Sequence, residues 1–305
     1  MTRPAITLLI PCYNAAPFLP RLMESVRALT QSFNAILCYD DGSTDDTVAV
    51  ARSLGLEIIT GQPNAGVAAA RNRLAAAART EWVHFHDADD LIGPLFLEQL
   101  GPFCDDRHDI VSCDADWVED HSRNLMIAWR YDSQALSRDP TAYLLQQAMG
   151  LNSSIIRRDK WIAVGGCDES LAIWEDADVH IRLALAGARF KHVPEVYTYS
   201  LRRPDSFSHN YTRGWDCRVA ALERYATESL PAEVVPIIAV EAEKAAGALS
   251  FLKNRPATER ALALCRRLGG NPPTSHSLLV RALKPFLPAY TILRWQQIIR
   301  TRSSS

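Results

Sequence analysis

The sequence predicts an α/β fold: a mostly parallel central sheet flanked by helices, followed by a helical C-terminal extension. Three observations lead there. Short, nearly unbroken apolar runs alternate with amphipathic stretches over residues 6–90, the pattern of βα units with buried parallel strands. Each run ends in polar or acidic residues, at the sheet edge where such folds collect ligands. From about Asn210 the pattern is helical throughout.

The elements follow in order. Residues 6–10, Ile-Thr-Leu-Leu-Ile, form a first strand that Pro11 is expected to end. Phe18, Leu19, Leu22, Val26 and Leu29 make a helical stripe with Pro17 near its first turn. Residues 35–39 are a second strand, and a helix from about Asp45 is expected to be capped by Ser43 or Thr44. Residues 57–60 are a third strand, and 67–78 an alanine-rich helix. A fourth strand at 82–85 runs straight into Asp87-Ala88-Asp89-Asp90. Beyond it, 94–103 reads as helix, 109–113 and 126–131 as strands suited to antiparallel pairing, and 140–149 as helix. A short strand at 153–157 precedes a helix at 176–186 that Gly187 closes. A last strand, 190–199, is interrupted by Pro194. In the helical remainder, breaks fall at 269–273 and 285–288, and there is no internal repeat.

Composition narrows the class of protein. With 305 residues, 48% hydrophobic and 22% charged, the chain can build one large α/β domain plus an appendage. Lys and Arg number 33 against 35 Asp and Glu, a net charge of −2, which argues against a nucleic-acid binder. The charge is uneven, however: no acid follows Glu259, while eight Lys and Arg do. Such asymmetry points to an anionic surface, and 282–299 adds aromatic and aliphatic residues to it. That segment is read either as a helix packed on the protein or a second subunit, or as a peripheral contact with a membrane. Seven scattered cysteines without CxxC spacing suit buried thiols in a reducing compartment. Without a signal-like N-terminus or an apolar run near 20 residues, the expectation is a cytoplasmic protein, at most attached to the inner membrane face.

Several motifs fall on one predicted rim. Pro11 and Tyr13, after the first strand, could form a plain turn or offer a ring and backbone groups to a base. A carboxylate of Asp40-Asp41, after the second strand, can accept the imide N–H of a pyrimidine, though Asp and Ser also cap helices, and one acid can serve the ligand while the others serve the helix. Gly66 at a helix start, with Arg71 one to two turns in, lets a diphosphate approach and neutralises it. Asp87-Ala88-Asp89 supplies hard oxygens for Mg²⁺ or Mn²⁺. Clustered acids of this kind call for a cation among them. Trp174-Glu175-Asp176 opens a helix; there Asp176 is either a cap or a general base for an acceptor hydroxyl.

In this order the motifs resemble the family 2 glycosyltransferases, inverting enzymes of GT-A fold that use nucleotide-diphosphate sugars. The resemblance rests on IPCYN (10–14), DDGSTDDT (40–47), NAGVAAARN (64–72), DADD (87–90), GGCDE (165–169) and WED (174–176), and it covers roughly residues 5–208. It implies a catalytic domain at 1–208, with a nucleotide-binding half at 1–100 and an acceptor-side half at 101–208, and an extension at 209–305. Pro11 and Tyr13 would line the base pocket and Asp41 would bond the base. Gly66 and Arg71 would face the diphosphate. Asp87 would approach the ribose or metal, and Asp89 would hold the metal. Asp176 would be the base, with Gly165, Gly166, Trp174 and Glu175 shaping the acceptor side. The implied partners are a nucleotide-sugar donor, UDP-linked in the favoured reading, and a glycan or lipid-linked acceptor. A homo-oligomer is compatible with the sequence.

The chain departs from the family pattern twice. Where relatives carry a histidine before Pro-Gly-Ser, residues 201–206 read Leu-Arg-Arg-Pro-Asp-Ser. Arg203 is thereby placed to touch the diphosphate itself, with His209 as the other group in reach. A QxxRW motif is absent, which favours single transfer over processive synthesis. Two other readings stay open: a non-catalytic sugar-nucleotide binder and, against the lack of a glycine-rich first loop, a nucleotidyltransferase.

Overall fold

The computed structural model describes residues 3–203, 210–226, 230–274 and 278–303. It divides into two compact units, up to Ser206 and from Phe207 onward.

In the first unit, β1 (Ile6–Cys12) is central, with Leu8, Leu9 and Ile10 fully buried. It pairs in parallel with β2 (Ala35–Asp41) on one side and β4 (Trp82–Phe85) on the other. β3 (Glu57–Gly61) extends the sheet beyond β2, also in parallel. The crossovers are α1 (Leu19–Arg27), α2 (Thr47–Ser53) and α3 (Val67–Ala77). α1 buries Leu19, Leu22 and Val26 of the stripe that the spacing predicts, with Met23 added, while Phe18 and Leu29 fall just outside the helix. α3 buries its alanines at 68, 69, 70 and 75 together with Leu74, so small side chains bring its backbone close to the sheet.

The expected break at Pro11 does not occur. β1 continues through Pro11 and Cys12, which pair with Tyr39 and Asp40. Its ladder with β4 stops at Leu9, so the N–H that proline lacks is not called for on that side. The expected caps fail too. α2 starts at Thr47, and its N-cap Asp46 makes no side-chain capping bond. Ser43 and Thr44 instead stitch two loops together: Ser43 Oγ accepts from the Asn14 amide at 2.9 Å, and the Thr44 amide donates to Asn14 Oδ1 at 2.9 Å.

Past β4 the sheet becomes mixed. The short β5 (Leu91–Ile92) and α4 (Phe96–Leu100), with a 3-10 turn at Gly101–Phe103, lead into β6 (Ile110–Glu119) and β7 (Leu125–Trp129). Then come α5 (Ser133–Arg138), α6 (Pro140–Gln146), β8 (Ser154–Arg157), α7 (Arg158–Ala163), α8 (Glu175–Leu185) and β9 (Phe190–Arg202). The strand order is β3-β2-β1-β4-β8-β6-β9-β5, with β7 paired to β6. β8 runs antiparallel to both β4 and β6, whereas β6 and β9 are parallel. Pro194 does not split β9. The register steps from Cys113↔Val193 to Asp114↔Val196, so Pro194 and Glu195 bulge out of the ladder and the strand goes on.

β5, α5 and α7 are too short to announce themselves through periodicity. His84 and His86, which precede the acidic cluster, belong to the core. His84 Nδ1 donates to the Ser154 carbonyl at 2.9 Å, and His86 Nδ1 to His84 Nε2 at 3.2 Å. Burial lowers the His84 pKa to about 4 and that of His86 well below the usual range, so both are neutral.

The second unit contains α9 (Tyr211–Tyr225), α10 (Val235–Phe251), α11 (Arg255–Arg267), α12 (Leu278–Leu283) and α13 (Ala289–Ser303). Val219, Ala245, Ala246, Leu249, Ala261, Leu262 and Leu293 share one core. α13 is therefore anchored by a packed face. No helix among the described residues is long and apolar enough to cross a membrane.

Candidate active site

Because β1, β2, β3 and β4 run parallel, their carboxyl ends open on one rim. Pro11 is buried in β1 there, while Tyr13 is 53% exposed. Asp41, buried at the end of β2, accepts from the amides of Ala65 at 3.1 Å and Gly66 at 2.7 Å. Arg73 lies 3.7 Å from the same carboxylate. Asp41 thus clamps the loop that opens α3. Gly66 takes φ 93°, a conformation that favours glycine, to present its amide to the clamp.

Arg71 is the hub. It is 5% exposed and reaches two acids: Nη2 donates to Asp87 Oδ1 at 2.8 Å, and Nη1 to Glu175 Oε1 at 2.6 Å. Asp87 follows β4, whereas Glu175 opens α8. One guanidinium therefore joins the rim after β4 to the start of α8. Burial opposes its charge, but Asp87 and Glu175 keep it firmly protonated. Glu175 is pushed up to about 7 by burial, against the pull of Arg71.

Asp176 is half-buried beside this pair, and its Oδ1 accepts from the Ala177 amide at 2.7 Å. Burial raises its pKa, the Arg71 charge draws it back, and Asp87 raises it again. The pKa of buried Tyr131 is raised by burial and also by the charge of Asp176. Trp174, the N-cap of α8, holds φ 82° and ψ 0°. That left-handed setting is rare for a bulky residue and common at functional sites.

The GGCDE loop is held against this site from two sides. Asn72 accepts from the Cys167 amide at 2.8 Å and donates to the Cys167 carbonyl at 2.9 Å. Arg182 donates to the carbonyls of Val164 at 2.6 Å and Gly166 at 2.5 Å. Gly166 has φ 66°, and a Cβ there would meet Asn72 Oδ1 at 2.2 Å. Asn72, Arg182 and Tyr131 carry no chemical signature in the sequence; only the last residue of the NAGVAAARN motif hinted at the first of them.

The acidic cluster divides. Asp87 and Asp89 keep a solvent-facing side, with side-chain exposures of 41% and 33%. Asp90 turns inward and accepts from Ser200 Oγ at 2.8 Å, Asn152 Nδ2 at 3.2 Å and the Leu201 amide at 2.9 Å. Burial and its acidic neighbours raise the Asp90 pKa well above the carboxylate range. It is a structural acid, while Asp87 and Asp89, the two carboxylates expected at a metal, keep the open side. Arg203 donates to Asp89 Oδ2 at 2.8 Å and stacks over Phe18 at 4.3 Å. His209 lies outside the described residues. Among the described residues no three His, Cys, Asp or Glu converge on a metal position. Two open carboxylates suit a hard cation that completes its shell with phosphate oxygens and water.

The Glu175 environment has a pH signature. Its pKa is higher folded than unfolded, so the native state binds the extra proton between roughly pH 4.5 and 7. Stability is greatest below that window and falls as pH rises through it. In Glu175→Gln, urea unfolding is expected to lose part of this decline, on the order of 1–3 kcal/mol. An unchanged slope would show that Glu175 does not titrate there.

Comparison with solved structures shows the fold class. Staphylococcus aureus TarS 1–349, in complex with UDP-GlcNAc, matches with a TM-score of 0.69 and 19% identity, over 95% of this chain and 88% of that one. The mannosyltransferase PcManGT of Pyrobaculum calidifontis, with GDP-Man and Mn²⁺, matches at 0.62 and 19%, over 98% and 85%. The first unit thus has the GT-A fold. The model of Glycosyl transferase family 2 matches residues 7–178, and the chain belongs to that family. Among curated relatives, the Escherichia coli glycosyltransferase YibD is 35% identical over 117 residues, 37% of this chain and 34% of its own length. The pre-mycofactocin glycosyltransferase of Mycobacterium tuberculosis is 32% identical over 206 residues, 62% of this chain and 41% of its own. The chain thus spans about a third to two-fifths of these relatives.

Proposed function

We propose that this chain transfers a single sugar, with inversion, from a UDP-sugar to a hydroxyl of a glycan or lipid-linked acceptor. The observation that carries the reading is the Asp87–Arg71–Glu175 bridge, with Asp176 beside it. It links the end of β4, where a donor diphosphate belongs, to the start of α8, where an acceptor base belongs. The nucleotide sugars bound by TarS and PcManGT support the donor class.

In the proposed reaction Asp176 accepts the proton of the acceptor hydroxyl as its oxygen bonds the anomeric carbon. The bond from that carbon to the diphosphate oxygen breaks, and its electron pair leaves with the nucleoside diphosphate. Pro11, Tyr13 and Asp41 line the base end, with Asp41 also fixing the Gly66 loop. Arg203 supplies positive charge next to Asp89. Asp89 and Asp87 are the residues that would hold Mn²⁺ or Mg²⁺, whose charge would stabilise the leaving diphosphate. Trp174 and Tyr131 border the acceptor side.

Thermal shifts with UDP, GDP and other nucleotides, with and without Mn²⁺, test the donor reading. A rise with UDP of several degrees at saturating ligand is expected. No shift with any nucleotide would overturn it, and a shift with GDP alone would replace uridine with guanosine.

A further inference from the structure

The second unit contains a cavity of about 490 Å³ walled by Pro272, Pro285 and Pro288 and lined by Arg266, Arg281 and Lys284. No acid lines it. Neither the Arg266 nor the Arg281 guanidinium has a hydrogen-bond or ion-pair partner among the described residues. Lys284 donates to the carbonyls of Asn271 and Pro273, the latter at 3.4 Å, which fixes its ammonium at the cavity.

The acids nearby are already engaged. Glu243 accepts from the Thr274 amide and, at 2.8 Å, its hydroxyl. Glu259 lines an adjoining cavity of about 350 Å³ that shares Arg266, and it pairs with Arg255 at 2.7 Å. Arg266 and Arg281 are solvent-exposed and Lys284 is half-buried, so the concavity presents three cations and no acid among the described residues, which favours an anion there. The volume is that of a small-molecule site. Two guanidinium forks and one ammonium match the oxygens of a phosphoryl group.

We propose that this cavity is a second binding site, for a phosphoryl anion of charge −2 or greater, held by Arg266, Arg281 and Lys284. The anion is either a soluble diphosphate or a phosphate headgroup presented by a lipid. Its chemistry is independent of the sugar-transfer reading.

The full chain and its Arg266→Gln/Arg281→Gln variant distinguish the sources. Neither arginine supports another residue, so the variant should keep the parent circular dichroism and melting temperature. Both proteins are titrated calorimetrically with inorganic pyrophosphate. Both are also sedimented with vesicles of phosphatidylcholine alone or with added phosphatidic acid. Pyrophosphate binding at least tenfold weaker in the variant identifies a soluble anion. Equal pyrophosphate binding, with at least tenfold weaker capture of the variant by phosphatidic acid vesicles only, identifies a headgroup. If parent and variant behave alike in both assays, the proposal is overturned.

Discussion

Asp176→Asn is expected to slow sugar transfer by about 10²–10⁴-fold, the usual contribution of a positioned general base. Asparagine keeps the size and the Oδ1 acceptor that receives the Ala177 amide, so the first turn of α8 should survive. It cannot take a proton. UDP affinity should therefore stay within a few-fold of the parent while single-turnover transfer collapses. The pH profile adds a second readout. Burial raises the Asp176 pKa, so the base is ionised only above a limb displaced upward from ordinary carboxylates, and transfer should rise with pH through it. Transfer by Asp176→Asn at the parent rate would remove the residue from the mechanism.

Arg71→Met should be the most damaging substitution to stability in the first unit. Methionine fills the volume, but Glu175 loses its partner inside the protein and Asp87 loses its partner at the rim. Stranding one member of a buried pair costs about 3–5 kcal/mol. Adding Glu175→Gln to Arg71→Met should recover much of that loss, because it removes the stranded carboxyl group. Urea unfolding of the two single variants and the double variant gives the coupling directly. Strict additivity would mean that the pair contributes nothing beyond its separate members.

The parts of this fold that were legible in the sequence have strong local causes. β1, β2 and β4 are short apolar runs with polar ends, and α3 is an unbroken alanine-rich stretch. The parallel β3-β2-β1-β4 portion followed from their alternation. The antiparallel insertion of β8 did not, because four residues carry no information about neighbours. Pro11 and Pro194 both looked like stops. Each sits where the ladder makes no demand on its nitrogen, a fact of pairing rather than of sequence.

The site divides in the same way. The acidic run after β4 is visible to any reader, but its sorting into two open carboxylates and the inward Asp90 depends on Ser200, more than 100 residues away. Arg71 reads as a phosphate ligand because it lies near a helix start. Its bonds to Asp87 and Glu175 are tertiary and have no local trace.

The backbone of Trp174 bears on how this protein could evolve. A left-handed tryptophan at the head of α8 holds on the order of 1–3 kcal/mol of conformational strain. A glycine there would relax the chain and forfeit the indole proposed to border the acceptor. Selection for heat resistance and selection for turnover would then pull position 174 in opposite directions. Thermostable descendants should recover their margin elsewhere and leave this residue alone.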